Sequence, residues 1–467
     1  MKAFFIALTA MFCCVTGTAQ DPLIDQTWSG EIRSAMGAID INLKFKQKRG
    51  KLLGQLSSEV SGASRLKLDS VNFDGNELYF ELRSFQASFR GTLKDSSIIG
   101  NWGQGTLSVP ITFVPRANYE PTVTILKRAQ TPEPPFDYIS KEIVFGDEVE
   151  LEGTITVPHG PGPHPAVVLL SVAGPNDRDE SHSRGHKPFM VLADHLTRNG
   201  IAVLRFDDRG VGFSGGDLYA SSFEDLVTDA LSAIDFLRSM DIIDPGNIGI
   251  IGHSEGTVIG PMTAIREPGN VSFLVLLGPA GVPLIELTES RLEVAWVDRG
   301  LSEAQNEELL THMKGVTAIL HENLGDKESY EKIAALQAEL TLDNPKFPTQ
   351  QFMIPKEKDE RIKLFISPWY RSQATYHPRD YFPRLDVPVL SITGTLDKLQ
   401  TPELNVPPIR RYLTEAPVTD FTVLEFPDVN HLMQTAKTGL PTEYPLLDET
   451  FSPEVLKIIS AWILKRV

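Results

Sequence analysis

A chain of 467 residues is too long for one ordinary hydrophobic core, so two or three domains are expected. Its net charge of −17 denies nucleic acid and anionic membrane the basic surface that either requires. The 41% hydrophobic and 22% charged residues are those of a soluble globular protein.

Residues 1–19 have the layout of a signal peptide. Lys2 supplies the positive charge, Ala3 to Val15 an apolar core short of a membrane span, and Gly17-Thr18-Ala19 a small-residue cleavage site. The protein is therefore expected to be exported, to the periplasm or beyond the cell. Both cysteines, Cys13 and Cys14, lie in this segment, so the mature chain is expected to carry no thiol and no disulfide. No later stretch reads as an integral membrane segment.

Residues 21–117 read as a small all-β antiparallel domain, a meander folded as a partly closed barrel or sandwich. Short alternating runs cover Ile39 to Phe45, Lys51 to Leu56, Leu66 to Phe73, Glu77 to Leu82, Ala87 to Leu93, Ile98 to Trp102 and Val109 to Val114. Arg49-Gly50, Asp74-Gly75 and Asp95-Ser96 punctuate them with hairpin chemistry. Trp28, Phe85 and Trp102 read as core aromatics. Residues 118–135, rich in proline, read as an extended linker.

From 136 to 467 the pattern changes. After two strands, Tyr138 to Phe145 and Val149 to Val157, apolar strands alternate with helices: Ala166 to Leu170, Met190 to Arg198, Ile201 to Phe206, Phe223 to Met240, Ile248 to Ile251 and Phe273 to Leu277. Val387 to Thr393, a helix after Pro402, Phe421 to Phe426 and a helix over Pro453 to Lys465 finish the series. Such alternation implies a mostly parallel sheet with helices on both faces, which binds ligands at the carboxyl ends of its strands. About residues 283–380 interrupt it with helical spacing, including a capping-box helix start at Ser302-Glu303-Ala304-Gln305, and are expected to form a cap over the site.

The chemistry centres on Gly252-His253-Ser254-Glu255-Gly256, which ends an apolar strand and opens a small-residue helix. That is the context of a nucleophile elbow. Gly212-Phe213-Ser214-Gly215-Gly216 fits the same pattern but follows the charged run Asp207-Asp208-Arg209, so it reads as a flexible loop. Serine needs a base, and the base an orienting acid, in the chain order Ser, acid, His. Of ten histidines, His431 alone follows the last strand; Asp397 stands beyond the carboxyl end of the preceding one. Asp428 reads as a turn residue and His253 as a packed, hydrogen-bonded one. The oxyanion donors are expected to be the backbone N–H groups of Glu255 and Ala173, the latter in the loop Ser171 to Glu180, where Arg178 is expected to pair with Asp207 or Asp208.

From about Tyr138 onward the chain resembles bacterial α/β-hydrolase-fold serine esterases of the lysophospholipase and serine-aminopeptidase-like branch. The resemblance rests on Gly174-Pro175-Asn176-Asp177-Arg178-Asp179-Glu180, Phe206 to Gly212, the elbow, Gly394-Thr395-Leu396-Asp397 and Asn430-His431. Where relatives often have His-Gly, this chain has Ser171-Val172. The resemblance implies an α/β-hydrolase fold with a helical cap and a triad of Ser254, His431 and Asp397.

The reading is an exported serine hydrolase that cleaves small-molecule carboxylic esters through an acyl-enzyme, with no cofactor, no metal and no nucleic-acid partner. Nothing in the sequence sets an oligomeric state. A serine peptidase, an acyl-peptide hydrolase or a thioesterase is the alternative within enzymes, and a non-catalytic binding protein the alternative outside them. A peptidase for free amino termini needs a carboxylate pair beside the site, for which Glu255 and the run Asp177 to Glu180 are candidates.

Overall fold

Every second residue along the amino-terminal strands is apolar, so one face of their sheet is driven out of water. Along Glu77–Leu82, for instance, Leu78, Phe80 and Leu82 are buried. A computed structural model describes residues 22–24, 26–34, 37–122, 128–299, 302–340 and 357–467, except for the side chains of Ser34 and 292–299. Residues 1–19, read from the sequence as a signal peptide, lie outside them. Nine antiparallel strands form the first sheet: β1 (Thr27–Ser34), β2 (Gly37–Lys48), β3 (Lys51–Ser58), β4 (Ala63–Lys67), β5 (Ser70–Phe73), β6 (Glu77–Leu82), β7 (Ala87–Lys94), β8 (Ser97–Gln104) and β9 (Leu107–Pro115). Their order is β4-β3-β2-β1-β9-β8-β7-β6-β5.

Only Leu68 and Asp69 separate β4 on one edge from β5 on the other, so the sheet must curl into an almost closed barrel. Leu66 to Phe73, read from the sequence as one strand, is therefore two, and the break turns the corner. At that corner the Leu68 N–H donates to Gly54 O at 2.9 Å. Trp28 and Trp102 are buried among Phe80, Phe89 and Phe113, with Phe80 stacked on Phe89 at 5.2 Å. Phe85 departs from expectation: it ends a short helical turn between β6 and β7 and is 47% exposed.

The second sheet holds β10 (Ile139–Phe145), β11 (Leu151–Val157), β12 (His164–Leu170), β13 (Ala202–Phe206), β14 (Ile243–His253), β15 (Leu274–Leu277), β16 (Val389–Gly394) and β17 (Phe421–Phe426). Their order is β10-β11-β13-β12-β14-β15-β16-β17, antiparallel at β10/β11 and β11/β13 and parallel from there on. Helices α1 (Pro188–Arg198), α2 (Phe223–Arg238) and α3 (Gly256–Arg266) follow strands in turn. Parallel strands joined through helices must be covered on both faces, and they are. Val227, Ile259 and Ile409 pack on one face; Phe189, Leu192, Val455 and Ile459 pack on the other.

Between β15 and β16 the chain forms α4 (Leu284–Arg299), α5 (Glu303–His321), α6 (Asp326–Ala338), α7 (Lys358–Ile366) and α8 (Pro368–Thr375), the expected cap. The capping box at Ser302 forms, its hydroxyl accepting from Gln305 N and its N–H donating to the Gln305 side chain. Ser372 of α8 accepts from Phe223 N at 3.1 Å and ties the cap to α2. Helices α9 (Pro402–Glu415) and α10 (Pro453–Leu464) complete the domain. No helix among the described residues is long and apolar enough to cross a membrane.

The two sheets meet through polar contacts. Lys46 pairs with Glu152, Lys48 with Glu150 at 2.8 Å, and Gly212 N–H donates to Arg65 O at 2.7 Å. The end of the proline-rich segment is pinned as well: Gln130 donates to Phe451 O at 2.7 Å and accepts from the backbone N–H groups of Thr450 and Phe451.

Candidate active site

Strand β14 is buried from Ile248 onward and delivers Ser254 at the carboxyl edge of the sheet. Ser254 has φ 52°, a left-handed conformation that an L-residue adopts at a cost and that persists because its surroundings enforce it. Its N–H donates to Leu277 O at 2.9 Å, and α3 begins two residues later. So tight a turn leaves no room at its flanks. A Cβ on Gly252 would lie 2.2 Å from Gly256 O, and one on Gly256 would lie 2.2 Å from Leu170 O.

Asp397 and His431 arrive from the neighbouring strands. Asp397 lies three residues beyond β16 and is 1% exposed; its Oδ1 accepts from Leu399 N at 2.9 Å and Gln400 N at 2.8 Å. Its Oδ2 meets His431 Nδ1 at 2.8 Å, five residues past the end of β17. Gln400 connects this pair to the elbow, its side-chain amide donating to Ser254 Oγ at 3.3 Å. In this conformation Ser254 has no hydrogen bond to His431, whose ring centroid lies 5.2 Å from that of His253, Ser254's neighbour in sequence.

His253 is packed and hydrogen-bonded, as its place in the elbow implies. Its Nδ1 lies 2.8 Å from Glu180 Oε1 and its Nε2 lies 2.8 Å from His431 O. The second serine pentapeptide is not the flexible loop expected. Ser214 is buried, donates to Asp207 O at 2.9 Å and accepts from Glu152 N at 3.0 Å, so it fixes a turn. Asp428 is an exposed turn residue with φ 56°.

The loop after β12 is braced from beneath. Asp208 accepts from Asn176 N at 2.8 Å and from Ser171 Oγ, while the Asn176 amide donates to Val172 O and Gly174 O, each at 2.7 Å. Burial pushes the Asp208 carboxyl up to about 8, against those hydrogen bonds. Among the described residues, the N–H groups of Ala173 and Glu255 meet no protein acceptor. Arg178 forks onto Asp207, Nε to Oδ1 at 3.1 Å and Nη2 to Oδ2 at 2.7 Å, and also reaches Glu142 and Thr154. Of the two partners expected from sequence, it takes Asp207.

A cleft of about 60 Å³ opens over Ser254, walled by Ala173, Val258, Val282, Leu287 and Tyr376. Glu255 also faces it, bound by Trp369 Nε1 at 3.3 Å and Gln373 Nε2 at 2.8 Å. Burial pushes the Glu255 carboxyl up to about 8, although both donors favour its ionised form. Among the cap's aromatics, Tyr376 lines the cleft and Trp369 braces Glu255, whereas Phe365 and Tyr370 are core.

A family model described as "Serine aminopeptidase, S33" matches residues 183–321, which include the elbow. Esterase EstD of Thermotoga maritima is 28% identical over 333 residues, 70% of either chain. The second domain has the α/β-hydrolase fold. Solved structures similar to it include an esterase, Pf2001, of Pyrococcus furiosus (17% identity, TM-score 0.42, 70% of this chain and 91% of that one). Another is Est1E of Butyrivibrio proteoclasticus with bound ferulic acid (15% identity, TM-score 0.41, 69% and 98%).

Three residues of the hydrolase site were not visible in the sequence. Gln400, on Ser254 Oγ, follows Asp397 in a loop without a recognisable pattern. Gln373 and Arg291 reach the cleft from cap helices whose docking no local spacing encodes.

Proposed function

We propose that this chain is an exported serine hydrolase of carboxylic esters. The observation that carries the reading is the 2.8 Å contact between Asp397 and His431 at the sheet edge where the Ser254 elbow emerges. In the reaction the Ser254 hydroxyl turns from Gln400 to His431 Nε2. The base then takes the hydroxyl proton as Oγ attacks the ester carbonyl. Asp397 holds the imidazole with its Nδ1–H inward. The N–H groups of Ala173 and Glu255 donate to the developing oxyanion, each such donor supplying ~3–4 kcal/mol. His431 returns the proton to the leaving alcohol, and water releases the acyl group by the reverse route.

Cleavage of esters rather than of free amino termini is supported by the charges near the cleft. An aminopeptidase needs carboxylates to hold an ammonium. Among the described residues lining the cleft the one carboxyl is that of Glu255, raised to about 8 and so neutral at pH 7. Asp179 is held by Arg205 and Glu180 by His253. The similarity to an esterase over 70% of the chain points the same way. Export rests on the signal-like residues 1–19, and cell fractionation of the full chain tests it.

The deciding experiment compares 4-nitrophenyl butyrate with aminoacyl 4-nitroanilides, using the wild type and Ser254→Ala. Ester turnover that vanishes with the substitution supports the proposal. Ester turnover that survives it, or turnover of the anilides alone, refutes it.

A further inference from the structure

Arg291 lies on α4, the first helix of the cap, and its side chain lines the same cleft as Ser254. Its Nε donates to Leu399 O at 3.0 Å. Among the described residues it has no carboxylate within ion-pairing distance, and its two terminal nitrogens meet no acceptor. The walls beside it are apolar, formed by Val282, Leu284 and Leu287. Burial lowers the Arg291 pKa, with Asp397 and Tyr370 acting in the opposite sense, and a guanidinium in a protein keeps its proton.

Asp397 favours the charge at a distance but forms no ion pair with it. Asp397 is committed to His431 and to the N–H groups of Leu399 and Gln400. Glu255 is uncharged at neutral pH because burial raises its pKa to about 8. A half-buried cation left without a counter-ion is unfavourable, and sites of this kind tend to be completed by a ligand's charge. Here Arg291 lines the space from which substrate reaches Ser254. A guanidinium fork matches a carboxylate in shape and takes it bidentately.

We propose that Arg291 binds a carboxylate of the substrate, so that the preferred substrates are small esters carrying a free carboxylate besides the scissile bond. The cation discriminates while the reaction itself is unchanged. This rests on the ester-hydrolase reading above for the identity of the reaction, though the anion site itself does not.

Two matched pairs of esters test it. In 4-nitrophenyl hydrogen glutarate against 4-nitrophenyl butyrate the charge is on the acyl side; in 4-acetoxybenzoate against phenyl acetate it is on the alcohol side. The wild type is expected to favour the charged member of at least one pair about tenfold or more in kcat/KM. Arg291→Met is expected to lower that preference by about 10- to 100-fold, chiefly through KM, and Arg291→Lys to retain part of it. A preference for neutral esters, or a loss in Arg291→Met that is equal for both members of each pair, overturns the proposal. Equal loss is what a residue that merely pins α4 to Leu399 produces.

Calorimetric titration of Ser254→Ala with glutarate separates the two hypotheses. Glutarate binding that weakens at least tenfold in Ser254→Ala/Arg291→Met supports the anion site even if no ester is hydrolysed. Serine-dependent ester turnover without glutarate binding and without charge preference leaves the ester-hydrolase reading standing and ends this one.

Discussion

His253 and Glu180 face each other at 2.8 Å, 2% and 0% exposed, directly behind the elbow. The other ring nitrogen of His253 faces the carbonyl oxygen of His431, also at 2.8 Å. A carbonyl can only accept, and so can an ionised carboxylate, so both ring nitrogens must carry protons. With the Glu180 pKa held low, His253 is expected to be an imidazolium in a buried ion pair, its second N–H holding the backbone of the proposed base in place.

That pairing has a pH signature. Burial alone would raise the Glu180 pKa, but His253 and His182 outweigh it and bring it to about 2. Burial opposes the charge on His253 too, and Glu180 outweighs it, so the His253 pKa lies above its ordinary value. The Glu180 contribution is complete above its unfolded pKa near 4.5 and is lost as pH falls towards 2. The His253 contribution is complete below about 6.5 and is lost as pH rises through the folded value. Glu180→Gln is therefore expected to cost ~3–5 kcal/mol near pH 6. In urea unfolding, the gap between wild type and variant should narrow towards both extremes. A gap independent of pH would mean that His253 is neutral.

Asp397→Asn should preserve the fold and lower kcat on 4-nitrophenyl butyrate by about 10³- to 10⁴-fold, with little change in KM, because the amide cannot hold the tautomer that the base requires. Less than a tenfold loss would move the orienting role elsewhere.

Glu255 should set an alkaline limit. Its carboxyl is neutral below about 8, and its backbone N–H is a proposed oxyanion donor. Ionisation puts a negative charge beside the site where a second one develops, so kcat should fall as pH rises through about 8. Glu255→Gln keeps the hydrogen-bonding shape and should remove that decline. A pH–rate profile of both proteins from pH 6 to 10 decides it.

The elements that carry Ser254, Asp397 and His431 were legible in the sequence because each depends on local pattern. An apolar strand, a tight turn and the place of a residue just past a strand end can all be read along the chain. Strand β1 escaped notice because Thr27–Ser34 is polar and holds Gly30, and its pairing with β2 and β9 comes from tertiary context. The split of Leu66 to Phe73 follows from closure of the barrel, which no residue announces. Arg178 was legible as an ion-pair partner, but its choice of Asp207 over Asp208 is made by the turn that places Asp208 under Asn176. Gln400 and Arg291 enter the site through loop and cap docking, and local spacing records neither.

The glycines of the elbow supply the last test. A methyl group on Gly256 would lie 2.2 Å from the carbonyl oxygen of Leu170, and that oxygen belongs to the neighbouring strand β12, so it cannot swing aside as a side chain would. Helix α3 must then move away from the sheet and carry the Glu255 N–H with it. Gly256→Ala is expected to cost ~1–3 kcal/mol of stability from overpacking. A displacement of about 1 Å in a catalytic group costs roughly 10²-fold, so kcat should fall by at least that factor. Gly260→Ala, one turn further along α3, is the control. Its added methyl would meet Ile250 Cγ2 at 3.3 Å and Leu274 Cδ2 at 3.6 Å, both side-chain atoms rather than backbone and both farther off than the oxygen at Gly256. Thermal unfolding together with ester turnover should separate the two variants, with Gly260→Ala close to wild type in both. Similar losses in both would mean that α3 tolerates no added volume anywhere, and the close approach at the elbow would not be special.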